Sequence, residues 1–271
     1  MGLDRAPGRP KVSAASAVPP PMTKAPALSV VVPLYNEEEN IAILQRELAA
    51  ALEGLDYEIV LVDDGSRDGT LARIQADPGG RVRVLAFERN AGQSAAMYAG
   101  LHAARGEAVA LLDGDLQNDP ADIRKLLAEL DKGAADLVCG YRARRKDTVV
   151  KRITSRVANF VRSRFTGDGV RDTGCTLKVM RRECVQALVP FGGMHRFIPA
   201  LVKGAGHRLV EVPVNHRARQ FGVSKYGLGN RALRATVDMF GVRWLLSRQL
   251  RYRVTESAPA APRPASTSAT V

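Results

Sequence analysis

Short apolar runs alternate with amphipathic segments through the first half of the chain. Residues 28–33 (LSVVVP) form a continuous, β-branched run, which is typical of a strand buried on both faces of a sheet. An apolar run of this kind recurs after each amphipathic segment. These runs predict further strands at 57–62, 82–87 and 108–112, and a fifth strand from 136–140.

The segments between these strands have helical spacing. In residues 36–52, Ile41 and Leu44 begin an apolar period of 3.6 residues, and acids crowd the first turn. Asn36 is of a residue type that caps helix starts. A proline begins the segment 120–132, where its missing N–H costs no hydrogen bond. Two further helices are predicted at 68–75 and 92–104.

This alternation of strands and helices predicts the fold class. Short connections between them favour an α/β fold with a mostly parallel, Rossmann-like central sheet and helices on both faces. In such sheets, ligands bind beyond the carboxyl ends of the strands. The residues that follow the predicted strands at these ends are polar: Tyr35, Asp63, Asp64, Asp113 and Asp115. We therefore expect the binding site at this edge of the sheet.

The second half of the chain is less regular. Residues 141–170 are basic and are predicted to be helical, 173–180 and 207–216 have strand character, and 183–188 form a short helix. Residues 228–250 are predicted to form a basic amphipathic helix or a pair of helices.

Composition sets the predicted domain organisation. Residues 1–26 are rich in Pro and Ala and lack the apolar core of a signal peptide, so we expect a disordered leader. Residues 254–271 predict a disordered tail. Between them lie a folded domain at 27–227 and basic amphipathic helices at 228–253. No run of about 18 apolar residues occurs, so no transmembrane helix is predicted.

The three cysteines bear on the compartment. They are too few for a disulfide scaffold and lack the spacing of a zinc site. A disulfide between Cys175 and Cys184 is the alternative, and reduced structural thiols are the favoured interpretation. The cysteines therefore indicate a cytoplasmic chain.

Basic residues are concentrated in two windows. The net charge is +12. Residues 141–164 and 217–253 each hold nine Lys or Arg against a single acid, so together they carry +16 and the rest of the chain carries −4. Localised basicity is expected of a surface that binds phosphates. Charge alone does not distinguish nucleic acid from anionic lipid.

The segment Asp113-Gly114-Asp115 has the composition of a metal site. Two carboxylates one residue apart, after a buried strand, can point into one cleft, and Mg²⁺ or Mn²⁺ prefers such oxygen ligands together with substrate phosphates. Gln117 and Asp119 lie within reach as further ligands. The alternative is a solvated acidic turn. The acids that end a neighbouring strand favour the metal site.

Two other turns have both a structural and a functional interpretation. Asp63 and Asp64 begin a DDGS segment that suits a strand-to-helix turn, and a paired acid there can also accept hydrogen bonds from a base or ribose. Tyr35 can stack on a base and Glu37 can bind ribose hydroxyls. The alternative is that Tyr35 packs in the fold and Asn36 caps the following helix.

Residues 219–226 (RQFGVSKY) predict a mobile loop. They mix cations with Gly, Ser and Tyr and have no amphipathic period. Such a loop can fold over a pyrophosphate, with Arg219 and Lys225 supplying positive charge. The alternative is an ordinary basic loop.

The four histidines have no metal-site spacing.

Five segments, in this order and spacing, resemble family 2 glycosyltransferases of the GT-A fold. The similarity is greatest to the branch that transfers mannose or glucose to polyprenyl (dolichol or undecaprenyl) phosphate, and it covers residues 28–250. DLQ-DP and RxxGxSKY are the more branch-specific patterns. The five segments are VVPLYNEEENI, VDDGSRDGT, LLDGDLQNDP, DTGCTLKVMRRE and RQFGVSKYG.

The resemblance implies a role for each matching residue. The residues that would hold the nucleoside are Pro33, Tyr35, Glu37 and Asp64. Those that would hold the metal and the donor diphosphate are Asp113, Gly114, Asp115 and Gln117, with Arg219, Ser224 and Lys225 from the loop. The acceptor phosphate would be received by Arg142, Arg152 and Ser155, and Asp172 would lie near the reacting sugar.

The implied activity is inverting transfer of a hexose to polyprenyl phosphate at the cytoplasmic face of a membrane. The donor would be of the GDP-mannose or UDP-glucose class and the cofactor Mg²⁺ or Mn²⁺. Many relatives continue into two transmembrane helices. The segment 228–250 is therefore expected to lie on an anionic membrane surface, to dock a separate membrane subunit, or to pack on the core.

Two rival functions remain open on the sequence. A GT-A transferase could act on a hydroxyl of a polysaccharide or protein, and Asp172 would then be the candidate base. A nucleic-acid-binding module could use the two basic windows. Only 5% of the residues are aromatic and no RNA- or DNA-binding signature is present, so no nucleic-acid partner is expected.

Overall fold

The computed structural model describes residues 25–74, 80–143, 162–219, 221 and 229–250. Seven strands form one sheet. They are β1 Leu28–Leu34, β2 Tyr57–Asp63, β3 Val82–Ala86, β4 Ala108–Leu111, β5 Leu137–Arg142, β6 Lys178–Arg181 and β7 Leu209–Val214. The helices are α1 Ile41–Ala51, α2 Thr70–Arg73, α3 Gln93–Ala103, α4 Asp122–Asp131, α5 Ile198–Gly204 and α6 Gly229–Ser247. Two 3₁₀ helices span Arg182–Ala187 and Met194–Arg196.

The sheet has the strand order β3-β2-β1-β4-β6-β5-β7. Strand β6 is antiparallel to both of its neighbours, and the other pairings are parallel. A mostly parallel sheet with an inserted antiparallel strand confirms the predicted fold class. All strands except β6 therefore end at one edge, here called the carboxyl edge, and begin at the opposite amino edge.

Helices cover both faces of the sheet, as predicted. Along β1, Val30 and Val32 face a core shared with α1 and α4, whereas Val31 faces a second core shared with α3 and α5. All seven residues of β1 are buried, as are all seven of β2. A strand buried on both faces needs a continuous apolar run, which accounts for the sequence LSVVVPL.

Several predicted element boundaries were wrong. Helix α1 begins at Ile41 because residues 36–40 form turns instead. Asn36 has a left-handed φ of 51°, and its side-chain oxygen accepts a hydrogen bond from the N–H of Arg67 at 2.8 Å, so it does not cap α1. The strand expected over 173–180 is only four residues long, Lys178–Arg181, because a turn precedes it.

Helix α6 packs on the core along one side only. Val242 is buried, and Met239 packs against the second core. Val237, Phe240 and Trp244, by contrast, are each more than half exposed. The helix thus has a core-packing side and an exposed apolar side. Within the described part of the chain, no helix is both long enough and apolar enough to span a bilayer.

The cysteines are free and buried, as expected for reduced structural thiols. Burial raises the pKa of Cys139 and of Cys184 to about 12, so neither is a reactive thiolate at neutral pH. The predicted leader, the tail and most of the predicted helical segment 141–170 lie outside the described residues, and the domain boundaries drawn from them stay predictions.

Candidate active site

The carboxyl edge brings together the acids that the sequence singled out. Register pairing sets Leu34 at the end of β1 opposite Asp63 at the end of β2. The next residue, Asp64, donates its N–H to the carbonyl of Leu34 at 2.8 Å. Strand β4 lies on the other side of β1 and leads into Asp113 and Asp115. Strands β2 and β4, which flank β1, therefore deliver carboxylates to the same edge of the sheet.

Asp113 is held by two side chains from distant segments. Gln93 Nε2 donates to Asp113 Oδ1 at 3.0 Å, and Thr176 Oγ1 donates to Oδ2 at 2.6 Å. Burial, with the charge of Asp115 as the second cause, raises the pKa of Asp113 from 3.8 to about 6. Sequence reasoning did not identify Gln93 or Thr176. Thr176 lies within a segment that resembles the family and Gln93 lies outside all five, and nothing in the spacing of either marks it.

Asp115 is paired with the cation expected from the loop. Its Oδ2 accepts from Arg219 Nη2 at 2.7 Å, and its Oδ1 accepts from the N–H of Gln117 at 3.1 Å. Gly114 lies between the two acids because a Cβ there would come within 2.4 Å of Leu34 Cδ2. Leu116 then turns the chain with a left-handed φ of 60°. The acid pair thus sits on a tight, strained turn.

Asp64 organises the backbone that leads into α3. Its Oδ1 accepts from the N–H of Ala91 at 2.7 Å, and its Oδ2 accepts from the N–H of Gly92 and from Asn90 Nδ2, both at 2.9 Å. Burial raises the pKa of Asp64, and the two backbone amides offset only part of this rise. Since Gln93 follows directly, Asp64 helps to place the side chain that holds Asp113. Its predicted contact with the nucleoside stays a prediction.

The other candidate nucleoside residues lie on two turns that are bonded to each other. The N–H of Asn36 donates to Ser66 Oγ at 2.9 Å, and the N–H of Glu37 donates to Thr70 Oγ1 at 2.8 Å. Tyr35 is half-buried beside them. Gly65 has a left-handed φ of 65°, and a Cβ at this position would lie within 2.6 Å of backbone atoms of Arg89 and Asn90. Pro33 is buried within β1.

Arg142 and Asp172, assigned by the resemblance to the acceptor and the sugar, form one unit. Arg142 Nε and Nη2 donate to the two carboxylate oxygens of Asp172, each at 2.7 Å. The side chains are 13% and 8% exposed. Buried Lys178 donates to the carbonyl of Cys175 in the turn that carries Asp172. This two-pronged contact fixes the orientation of the Arg142 guanidinium, and its role towards an acceptor stays a prediction.

Four predicted site residues fall outside the described part of the chain. Arg152 and Ser155 belong to the first basic window, and Ser224 and Lys225 belong to the loop after Arg219. Their roles stay predictions. Asp119, considered as a metal ligand, is engaged elsewhere: its Oδ1 pairs with Arg217 Nη2 at 2.9 Å and accepts from the N–H of Ala121 at 3.1 Å.

The donor atoms at Asp113 and Asp115 fit a hard divalent cation. They are carboxylate oxygens of a buried side chain, Asp115, and a partly buried one, Asp113, close enough that the charge of Asp115 raises the pKa of Asp113. Among the described residues, no group of three or more His, Cys, Asp or Glu side chains is arranged to hold a metal ion. Such a pair suits Mg²⁺ or Mn²⁺, which complete their coordination with water and substrate phosphates.

Comparison with known proteins identifies the family. The model of Glycosyl transferase family 2 matches residues 29–189. Dodecaprenyl-phosphate galacturonate synthase of Rhizobium johnstonii is 41% identical over 83% of the chain and 68% of its own length. Undecaprenyl-phosphate 4-deoxy-4-formamido-L-arabinose transferase of an Enterobacter species is 39% identical over 76% of the chain and 65% of its own length. The chain thus spans about two thirds of these relatives.

Solved structures share the fold at low sequence identity. Glucosyl-3-phosphoglycerate synthase from Mycobacterium tuberculosis, crystallised with Mn²⁺, UDP and phosphoglyceric acid, is 21% identical with a TM-score of 0.62, over 82% of this chain and 78% of that one. A mannosyltransferase from Pyrobaculum calidifontis, in complex with GDP-Man and Mn²⁺, is 20% identical with a TM-score of 0.60, over 85% and 67%. Because the family match covers more than half of the residues, the chain belongs to glycosyl transferase family 2 and is a glycosyltransferase.

Proposed function

We propose that this glycosyltransferase transfers a hexose, with inversion at the anomeric carbon, from a nucleotide-diphosphate sugar to a polyprenyl phosphate. The names of its relatives specify dodecaprenyl and undecaprenyl phosphate as their acceptors. The donor belongs to the GDP-mannose or UDP-glucose class. Transfer takes place at the cytoplasmic face of a membrane.

The observation that carries this proposal is the pairing of Arg219 with Asp115 next to a second acid, Asp113. An acidic cleft repels a diphosphate unless cations accompany it. Asp113 and Asp115 would hold the divalent ion, with the amide oxygen of Gln117 as a further ligand. An ion bound there supplies Lewis-acid stabilisation of the charge on the departing diphosphate. Arg219 is already at this corner and can move from carboxylate to phosphate.

The reaction is a single displacement. An oxygen of the acceptor phosphate attacks the anomeric carbon, the bond from that carbon to the β-phosphate oxygen breaks, and the nucleoside diphosphate leaves. Arg219 stabilises the negative charge that develops on the β-phosphate. Tyr35 and Glu37 hold the nucleoside and fix the anomeric carbon relative to the attacking oxygen. No proton has to be removed, because the acceptor is already an anion at neutral pH.

The geometry of Asp172 favours a phosphate acceptor over a hydroxyl acceptor. A hydroxyl group needs a base, and Asp172 is the candidate. Both of its oxygens, however, accept hydrogen bonds from Arg142, so this carboxylate is already engaged with a guanidinium. A guanidinium at this position instead suits an anionic acceptor, with Arg152 and Ser155 as further phosphate contacts.

Helix α6 supports contact with an anionic membrane surface. Phe240 and Trp244 lie one turn apart, are 58% and 63% exposed, and are accompanied by exposed Arg243 and Arg248. An apolar stripe flanked by cations inserts at the boundary between headgroups and acyl chains. Sedimentation with phosphatidylglycerol vesicles measures this contact. The Phe240→Ser/Trp244→Ser variant should lose most binding, whereas Leu71→Ser, at an exposed leucine on α2, should retain it.

The proposed activity is tested by following labelled sugar into lipid. The protein is incubated with Mn²⁺, undecaprenyl phosphate and a panel of labelled donors: GDP-mannose, UDP-glucose, UDP-N-acetylglucosamine and UDP-galacturonic acid. We expect one donor to deliver label into the organic phase, and this transfer should require both Mn²⁺ and the lipid phosphate. Label that enters only a polysaccharide or protein fraction would assign the hydroxyl acceptor instead, and transfer that persists in excess EDTA would exclude the metal role.

A further inference from the structure

The branch-specific segment DLQNDP is bonded to the residues that directly precede the second branch-specific segment, RQFGVSKY. Asn118 and His216 form an isolated antiparallel bridge. One residue further, the N–H of Arg217 donates to the carbonyl of Gln117 at 2.8 Å. At the other side of the bridge, the N–H of Asn215 donates to a carboxylate oxygen of Asp122 at 2.6 Å. Residues 215–219, here called the anchor segment, therefore run antiparallel to the chain after β4.

This register places the two cations of the anchor segment. The bridge brings Gln117 beside Arg217, and two residues further in each chain the side chains of Asp115 and Arg219 are paired. Both arginines contact acids of the chain after β4, Arg217 through Asp119 and Arg219 through Asp115. A slip of one residue would turn Arg219 away from Asp115. The pairing at 2.7 Å between Arg219 and Asp115 thus depends on the register.

Arg217 ties this register to two other elements. Its Nη1 donates to Glu47 Oε2 of α1 at 2.7 Å, and its Nη2 pairs with Asp119 Oδ1 at 2.9 Å. The Arg217 side chain is one-third exposed. An isolated pair with this exposure contributes little to stability, but a guanidinium that bridges two carboxylates on different elements restricts position. Alongside the pair of Arg219 with Asp115, these two ion pairs join the anchor segment to α1 and to the turn after β4.

We propose that Arg217 is a positioning residue: its ion pairs with Glu47 and Asp119 set the register that holds Arg219 at Asp115, and so determine the affinity for the donor diphosphate. The inference rests on the proposed function, since it takes Arg219 to be the diphosphate ligand. It adds that Arg217 acts through Arg219 and does not touch the donor. Asp119 accordingly serves the anchor segment and is no metal ligand.

A double-mutant cycle tests this relation. The dissociation constant of UDP in the presence of Mn²⁺ is measured by calorimetry for Arg217→Met, Arg219→Met and the double variant. Loss of the charge-assisted bond of Arg219 should weaken binding by about 10- to 100-fold. Arg217→Met should weaken it by about tenfold, and the double variant should be no weaker than Arg219→Met alone. The variant Glu47→Gln/Asp119→Asn removes the same two ion pairs and should reproduce the effect of Arg217→Met. It replaces Arg217→Met in the test if Arg217→Met does not fold.

Arg208→Met provides the matched control. Arg208 binds Asp136 with both types of guanidinium nitrogen at the amino edge, before β7, and is 60% exposed. It should bind UDP like the wild type. Two outcomes would overturn the positioning role alone. In the first, the losses of UDP affinity in the two single variants multiply in the double variant. In the second, Arg217→Met binds UDP like the wild type while Arg219→Met binds it more weakly. Wild-type affinity in Arg219→Met would overturn the diphosphate role, and with it both proposals.

Discussion

The pKa values of the carboxylates at the two edges of the sheet are shifted in opposite directions. At the amino edge, Glu58 is fully buried and accepts hydrogen bonds from Ser29 Oγ at 2.7 Å, Arg83 Nη1 at 2.8 Å and the N–H of Arg105 at 2.7 Å. Burial acts to raise its pKa, but these bonds outweigh it, and the pKa is lowered from 4.5. At the carboxyl edge, burial and the neighbouring acid raise the pKa of Asp113 to about 6.

Among the described residues, strained backbone and a buried carboxylate oxygen without a hydrogen-bond partner occur at the carboxyl edge. In the described part of the chain, the two residues other than glycine with a left-handed φ are Asn36 and Leu116, and both lie there. Asp63 Oδ1 is buried at this edge without a hydrogen-bond partner among the described residues. Strain and uncompensated charge of this kind reduce stability and persist where function requires them. The contacts at the amino edge stabilise the sheet, whereas in the proposed function the acids at the carboxyl edge bind a cation and the donor.

The largest expected effect follows from removing an acid at the carboxyl edge. If stabilisation of the leaving diphosphate supplies several kcal/mol, Asp115→Ala should lower kcat/KM by about 10² to 10⁴-fold. Its thermal midpoint should stay near that of the wild type, because the substitution relieves like-charge repulsion with Asp113. Steady-state kinetics at saturating Mn²⁺ and thermal unfolding measure the two. Asp131→Ala, at an exposed acid ending α4, is the control. Near-wild-type turnover in Asp115→Ala would refute the metal role.

The contacts at the amino edge could not be predicted from the sequence, whereas the grouping of acids at the carboxyl edge could. Acids after apolar strands stand out because the ends of parallel strands meet, so Asp64, Asp113 and Asp115 could be placed in one cleft from the sequence. The pairing of Ser29 with Glu58 could not, because both lie inside strands and their partnership depends on strand order. Sequence periodicity specifies elements, but it does not specify which elements become neighbours.

The same limit applies within the site. The bond from Thr176 to Asp113 and the pair of Arg142 with Asp172 depend on β6 lying between β4 and β5. A strand of four residues after an irregular turn gives too weak a pattern to predict that insertion. At Asn36, residue type predicted a helix cap, but contacts with residues 66–67 outweigh this local preference.

The next prediction concerns the stability of the amino edge. Glu58→Gln replaces a charged acceptor by a neutral one and should lower the free energy of unfolding at pH 7 by about 1.5 to 3 kcal/mol. Because the pKa of Glu58 is lowered in the folded state, its stabilisation is complete above the unfolded pKa and is lost as the pH falls through the folded pKa. The difference between variant and wild type should therefore be constant from pH 7 to about 5 and shrink below 4.5.

Urea unfolding at a series of pH values measures this difference. The donor affinity of folded Glu58→Gln should equal that of the wild type, since the substitution lies at the far edge of the sheet. A stability difference that grows as the pH falls would contradict the sign, and a loss of donor affinity would contradict the separation of the two edges.

The smallest expected effect, a change in the free energy of unfolding, compares the two edges most directly. Asp113→Asn is the same kind of substitution as Glu58→Gln, an acid replaced by its amide, at the opposite edge. In protein stripped of metal it removes one of two repelling charges, at the cost of a mismatch with one of the donors Gln93 and Thr176. We expect these effects to offset each other, so that the free energy of unfolding changes by less than about 1 kcal/mol. Urea unfolding in EDTA measures it. If the free energy of unfolding falls as much as in Glu58→Gln, Asp113 stabilises the fold as Glu58 does. That result would contradict the proposal that the acids at the carboxyl edge serve to bind a cation.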